Sequence, residues 1–276
     1  MIHSLFTVWT GLSLEAGVGI CYNTNKENRS LPGRPAAGRL PITGKESAMQ
    51  KVVPAYSGTL RSHLLEVPAC IAECSGIRIF GRRIKSLVFS TDVAIIKNVN
   101  ADAIIAVYPF TPQPSIAQAI INVSDVPVFV GVGGGVTNGA RSVRLAAYAE
   151  HQGAFGVVVN APITDQTIFL IKDVVDIPVI ATIVSAKMDV AKRIACGADI
   201  LNVSGAAETP AIVRQIREKF PDIPIIATGG PTDETIMETI RAGANAITYT
   251  PPANGTLFAE SMRRYRATYA EEAETK

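Results

Sequence analysis

The chain has 276 residues, nearly half of them apolar (47%), few charged (18%), and a formal net charge of +2. That length accommodates one large α/β barrel or two small domains, and the near-neutral charge without a basic stripe excludes a nucleic-acid surface. Four cysteines in a chain this long do not form a disulfide framework, and no apolar run approaches the roughly 20 residues of a membrane-spanning helix, so the expectation is a cytoplasmic protein with free thiols.

Residues 1–48 follow no period of 2 or 3.6 and include a polar Gly/Pro-rich stretch from Asn23 to Gly44. A secretory leader is a poor reading, because the start has no Lys/Arg and Glu15 interrupts the apolar part. Gly44-Lys45-Glu46 back-translates to a purine run that can contain a bacterial ribosome-binding sequence shortly before Met49. The expectation is that translation starts at Met49, with 1–48 a disordered or non-native upstream extension and 49–276 the folded domain.

Thr59 to Ser75 has apolar residues near helical spacing, interrupted by Pro68, and predicts an extra N-terminal helix covering the bottom of the domain. Ile77–Phe80 and Ile84–Phe89 flank Gly81-Arg82-Arg83 as a hairpin. Two alternating phrases then set the pattern. Asp125-Val126-Pro127-Val128 recurs as Asp176-Ile177-Pro178-Val179 and Asp222-Ile223-Pro224-Ile225. Gly153-Ala154-Phe155 recurs as Gly197-Ala198-Asp199 and Gly243-Ala244-Asn245, with Asn100-Ala101-Asp102 a looser copy. Each phrase opens a β-branched run, and the unit of two strand-helix modules repeats every 45–50 residues or roughly so, a period typical of repeat architectures. Eight strands follow, over 85–90, 102–108, 126–132, 155–160, 177–183, 200–204, 223–228 and 246–250, with a helical segment after each. Strict alternation implies parallel strands joined by right-handed crossovers. Eight of them closing on themselves give a (β/α)8 TIM barrel, against the competing open doubly wound sheet.

In such barrels the chemistry stands at the C-terminal strand ends. Those ends carry Asp92, Tyr108, the glycine run Gly131–Gly139, Asn160, Lys187, Asn202 with Ser204, Gly229-Gly230, and Asn254-Gly255-Thr256. Asn202 and Ser204 are two apart and share a face, with Leu201 and Val203 on the other. Polar groups aimed into a barrel are costly unless satisfied, by neighbouring strands or by a substrate. Gly229-Gly230 and the segment 254–256 lie where backbone N–H groups hold phosphate in many barrels, although Pro251 and Pro252 have no N–H to give and a tight turn explains the glycines equally. A lone glycine run after the third strand is weak evidence for a dinucleotide site, and the next strand ends in Asn160 rather than an acid.

His63 and His151 are remote from the strand ends, which removes a Ser/His/Asp triad and a His-rich metal centre. Asp92 is then the acid-base candidate, unless it only caps the helix Val93–Asn98. Tyr108 could donate to an oxyanion, and the amides of Asn160 and Asn202 could orient a carbonyl or hydroxyl. Lys187 could form a Schiff base if desolvated, and is otherwise surface charge. The expectation is one cavity lined by Asp92, Tyr108, Asn160, Asn202 and Ser204. Asp165 and Glu208 suit helix N-termini as well as catalysis.

Gly229-Gly230 with Thr232-Asp233-Glu234, followed by Ala242-Gly243-Ala244-Asn245-Ala246, resembles the closing modules of the ribulose-phosphate-binding barrel superfamily. The Schiff-base lysine of its aldolases has no counterpart, since Asn202-Val203-Ser204 stand there. Ser57-Gly58-Thr59-Leu60-Arg61, Val107-Tyr108-Pro109-Phe110-Thr111-Pro112 and Tyr249-Thr250-Pro251-Pro252 resemble a bacterial family of stand-alone barrels labelled as hydrolases without a mechanism. The resemblance implies an enzyme on a small anionic, phosphorylated metabolite, of lyase, isomerase or hydrolase type. A metabolite-sensing barrel without turnover is the alternative, and an FMN-dependent oxidoreductase a weaker one. No cofactor is required by the residues, Mg2+ and FMN remaining open, and no partner beyond the metabolite is implied except a homo-oligomer.

Overall fold

The structure is a computed structural model that describes Pro54, Tyr56, Gly58, Thr59 and residues 65–274. The segment 1–48, with the expected start at Met49, lies outside the described residues, as does His63. The barrel unit runs from Ala55 to Lys276.

Two short strands, β1 (Ile77–Ile79) and β2 (Arg82–Ile84), form an antiparallel hairpin. Its turn uses Phe80 and Gly81, both with positive φ (43° and 81°), as two-residue hairpin turns require. Eight parallel strands follow: β3 (Ser86–Phe89), β4 (Ala103–Ala106), β5 (Val128–Gly133), β6 (Gly156–Val159), β7 (Val179–Ile183), β8 (Ile200–Val203), β9 (Ile225–Thr228) and β10 (Ala246–Tyr249). They pair in sequential order and β10 closes onto β3. The chain is a (β/α)8 barrel. A helix follows every barrel strand: α1 (Val93–Lys97), α2 (Pro114–Val123), α3 (Ala140–His151), α4 (Asp165–Val174), α5 (Val190–Ala195), α6 (Thr209–Lys219), α7 (Asp233–Arg241) and α8 (Asn254–Glu274). None of the described helices is long and apolar enough to cross a membrane.

The alternation of side chains along a strand sorts the core into two layers. Leu87, Ile105, Phe129, Val158, Ile180 and Ile226 fill the barrel interior. Val88, Ile104, Val130, Val157, Leu201 and Ile247 face outward and bury the helices.

The N-terminal end departs from expectation. Residues 60–64 lie outside the described residues, and from 65 to 75 there is no α-helix, only a 3-10 turn at Ala69–Glu73 that begins after Pro68. Proline there cannot accept a preceding helical turn without a clash. The 3-10 turn packs against α7, where Ile71 joins the outer core. The hairpin does the covering: Ile77, Ile79 and Ile84 continue the interior layer, and Phe80 meets Phe155 edge-on, which in turn meets Phe129. The hairpin's second strand is Arg82–Ile84, so it starts two residues earlier than its sequence suggested and the turn shortens to Phe80-Gly81.

The repeated phrases have a structural cause. Asp102 Oδ2 accepts the N–H of Lys85 and Ser86, Asp199 Oδ2 that of Val179, and Asn245 Oδ1 that of Ile225. In each case the side chain satisfies the first donors of the preceding strand, which the staggered start of a barrel strand leaves open. The proline carbonyls of the other phrase serve the opposite side: Pro127, Pro178 and Pro224 accept from Ile104, Val157 and Leu201. Arg217 braces this end, donating to the carbonyls of Pro221, Ile223 and Gly243 and to Asn245 Oδ1.

Candidate functional site

A cavity of about 480 Å3 opens at the C-terminal ends of the barrel strands. Four of the five residues expected to share it do so: Tyr108 after β4, Asn160 after β6, Asn202 on β8 and Ser204 just beyond it. Leu201 and Val203 are fully buried on the outer side, as the alternation requires. Threonines complete the lining, and sequence reasoning passed over two of them, Thr182 and Thr248. Thr182 pairs across from Asn202, Thr248 pairs across from Thr228, and Thr250 follows β10. Threonine is a common strand former, so nothing in the sequence distinguished these positions except their alternation with the outer layer.

The local bonds fix how these groups stand. Asn202 Nδ2 donates to Thr182 Oγ1 at 3.4 Å, and Thr228 Oγ1 donates to Ser204 Oγ at 3.3 Å. The Tyr108 hydroxyl accepts the N–H of Gln113 at 2.8 Å, which orients the ring and leaves its own proton to donate. Asn202 Oδ1 and Thr248 Oγ1 are buried with no hydrogen-bond partner in the protein. An unmet polar atom in a buried position costs about 1–3 kcal/mol, and two of them in one lining are a property of a binding site rather than of a finished core.

A second cavity of about 470 Å3 adjoins the first and shares Val107, Tyr108, Pro109 and Asn160 with it. Its far wall is the glycine run after β5. Gly134 has φ +117°, and a Cβ there would lie 2.5 Å from Asn160 Cβ, so only glycine lets the loop close on Asn160. Asn160 N–H in turn donates to the Gly133 carbonyl. Asn138 Oδ1 accepts from Thr167 Oγ1 and from Gly139 N–H, which ties the loop to α4. Gly134 therefore serves close approach beside the mouth.

Asp92 lies outside both cavities. Its Oδ1 accepts from Ala94 N–H at 2.9 Å and Ile95 N–H at 3.3 Å, the geometry of a helix N-cap. The expectation of one cavity holding all five residues therefore loses its carboxylate, because α1 starts directly after β3 and draws the side chain to its own N-terminus. Lys187 stands exposed in the turn before α5, absent from the linings of both cavities. Asp165, in the first turn of α4, pairs with Arg193 and Lys192. Arg193 also donates to the carbonyls of Ala161 and Ile163 and so holds the lip of the mouth.

Gly229, Gly230 and residues 254–256 are not in the lining of either cavity; Gly229-Gly230 follow directly on Thr228 and residue 254 comes four positions after Thr250, both of which are in it. Gly230 has φ +84°, and a Cβ there would meet Thr235 Oγ1 at 2.5 Å. Thr232 and Thr235 cap α7 reciprocally, and its first turn carries Asp233 and Glu234. A backbone hydrogen bond holds the Glu234 carboxyl below the usual carboxylate range, with a further one from Thr232, so this helix end already carries anionic charge. Residues 254–256 are the start of the 21-residue α8, whose first turn has no acidic residue.

No family model matches the chain, and no curated protein matches it in sequence. Solved structures share its fold. 2,3-Dimethylmalate lyase, a PEP mutase/isocitrate lyase superfamily member, superposes with a TM-score of 0.54 at 15% identity, covering 74% of this chain and 83% of the lyase. Phosphonopyruvate hydrolase in complex with oxalate and Mg++ gives 0.50 at 14% identity, covering 69% of this chain and 83% of the hydrolase. A candidate phosphonomutase from Burkholderia cenocepacia J2315 gives 0.50 at 16% identity, covering 68% of this chain and 92% of the other. At such identities the likeness is one of fold.

The Mg++ of the second neighbour raises the question of a metal. The mouth offers only neutral oxygens and amides, whereas Mg2+ is held by one or two carboxylates. Among the described residues no group of three His, Cys, Asp or Glu could hold a metal ion. The lining does not fit a protein-bound Mg2+.

Proposed function

We propose that this barrel is an enzyme acting on a small anionic, phosphorylated metabolite bound at its mouth. The observation that carries the reading is the mouth cavity with two buried polar atoms, Asn202 Oδ1 and Thr248 Oγ1, left without protein partners. The phosphate belongs at the rim. There Gly230 and the first turn of α8 at Asn254 and Gly255 offer backbone N–H groups and a helix N-terminus, while the N–H groups of Gly229 and Thr256 already donate to the carbonyls of Thr248 and Ala253. Asp233 and Glu234 oppose an anion on the α7 side, which favours α8 for the greater share of the binding.

The residues at the mouth suit a neutral group on which charge develops only in the transition state. The Tyr108 hydroxyl and the amides of Asn160 and Asn202 are donors for a developing oxyanion, held by Gln113, Gly133 and Thr182. Asp92, three residues beyond Phe89 of the lining, is the proposed group for proton transfer, which competes with its capping of α1. A barrel that binds its metabolite without turnover is the second reading. It is favoured by a lining that contains no carboxylate, amine, imidazole or thiol.

A thermal-shift screen of phosphorylated metabolites tests binding, since a ligand raises stability by mass action. Stabilisation by members of that panel, lost in Gly230→Val while the variant stays folded, is the expected result. Product formation by the hit, followed by NMR, then separates the enzyme from the sensor. Equal stabilisation of wild type and Gly230→Val would remove the rim site.

A further inference from the structure

We infer that the mouth cavity selects an uncharged, hydroxylated end of its ligand, with Thr248 and Asn202 as the residues that recognise it; this rests on the reading of the mouth as the ligand site. The lining has two unlike halves. The neighbouring strands β7 to β10 present hydroxyls and an amide, from Thr182, Asn202, Thr228 and Thr248. The opposite strands β3, β4 and β6 present Phe89, Ile105 and Val158, with Val107 and Tyr108 beyond β4 and Asn160 beyond β6 as the polar groups at that half's outer edge. No charged side chain lies in either half.

That arrangement sets the chemistry of what enters. A carboxylate or phosphate inserted here would give up its hydration for a few neutral contacts, and an ammonium would find no counter-charge, so both are disfavoured. A hydroxyl fits both vacant atoms, because it donates and accepts. It can donate to Asn202 Oδ1 and exchange either role with the Thr248 hydroxyl. Thr248 is only 7% exposed and Thr182 8%, so their hydroxyls are largely withdrawn from bulk water. The carbon face of the same group then lies against Phe89, Ile105 and Val158. Only the rim is left for the anion, and the inserted end is the neutral one.

Two small probes test the selection without calling on the rim site. Glycerol is uncharged and hydroxylated; glycerate has the same skeleton with a carboxylate. Their binding is measured by NMR titration of the 15N-labelled protein, following the side-chain amide of Asn202. Glycerol is expected to bind at least about tenfold more tightly than glycerate, the scale of one hydrogen bond against an unmet charge. Thr248→Val should weaken glycerol binding by about tenfold, the scale of one hydrogen bond, and Thr248→Ser, which keeps the hydroxyl, should retain it. The unliganded Thr248→Val protein should also melt about 2–4 °C higher, because an unmet buried hydroxyl is replaced by a methyl of similar size. A preference for glycerate, glycerol binding untouched by Thr248→Val, or no response of Asn202 to either probe overturns the inference. Failure of inorganic phosphate to bind leaves these arms intact and counts only against the rim.

Discussion

Replacing Gly134 by alanine should separate the structural demand at the mouth from ordinary loop tolerance. Gly134 sits at φ +117°, which for an L side chain costs about 1–3 kcal/mol. Its new Cβ would stand 2.5 Å from Asn160 Cβ and 2.9 Å from Asn160 N and Cα. Those backbone atoms belong to the turn after β6 and cannot swing aside, so overpacking adds about 1–3 kcal/mol. The total, about 2–6 kcal/mol, should lower the melting temperature by at least about 5 °C in a domain of this size. Gly135 is the internal control: its φ is +68°, and nothing lies within 4 Å of a Cβ added there. Gly135→Ala should cost only the backbone term, about 1–2 kcal/mol. Urea midpoints of the two variants give the comparison directly. Because Gly134→Ala must push Asn160 away from the mouth, it should also weaken ligand binding, and Gly135→Ala should not. Equal stabilities for the two variants would refute the close approach of the glycine loop to Asn160.

Other outcomes are expected elsewhere in the chain. Asp92→Ala should lose about 1 kcal/mol through its cap, whereas Asp92→Asn keeps a capping oxygen and removes the charge; full turnover by Asp92→Asn on an identified substrate would reject Asp92 as the acid or base. Arg217→Ala should cost roughly 3 kcal/mol or more by leaving the carbonyls of Pro221, Ile223 and Gly243 unmet, while ligand affinity stays unchanged because this network lies at the opposite end of the barrel. Burial pushes the Cys74 thiol up to about 11 from an ordinary 9.0. Its folded-state value being the higher, its contribution to stability is complete below pH 9 and is lost as pH rises toward 11. Iodoacetamide labelling read by mass spectrometry should accordingly leave Cys74 unmodified at pH 8 in the folded protein.

The barrel was legible because its signal is redundant. Asp102, Asp199 and Asn245 recur for a reason: each closes the hydrogen bonding at the start of a neighbouring strand. A structural need met several times leaves several copies in the sequence. The polar strand ends were legible for a related reason, since two-residue alternation places Asn202 and Ser204 opposite Leu201 and Val203. What the sequence concealed was direction and competition. Asp92 has the position of a catalytic acid, but the first turn of α1 is closer and takes its oxygen. Thr182 and Thr248 read as ordinary strand residues, and only closure of the barrel shows that they line the same mouth. At the N-terminal end, apolar spacing near Pro68 suggested a helix, yet a hairpin of three-residue strands covers the interior, and strands that short leave almost no periodicity to detect.

The mouth as ligand site is tested most directly by NMR chemical-shift mapping of asparagine side-chain amides with the best-stabilising phosphorylated metabolite. Asn160 and Asn202 line the cavity, whereas Asn245 is engaged with Arg217 and Ser75 at the other end of the barrel and Asn122 pairs with Gln118 on α2. Saturable shifts of Asn160 and Asn202 with Asn245 and Asn122 unmoved are the predicted result. Shifts confined to Asn245 or Asn122, with Asn160 and Asn202 silent at saturation, would contradict it.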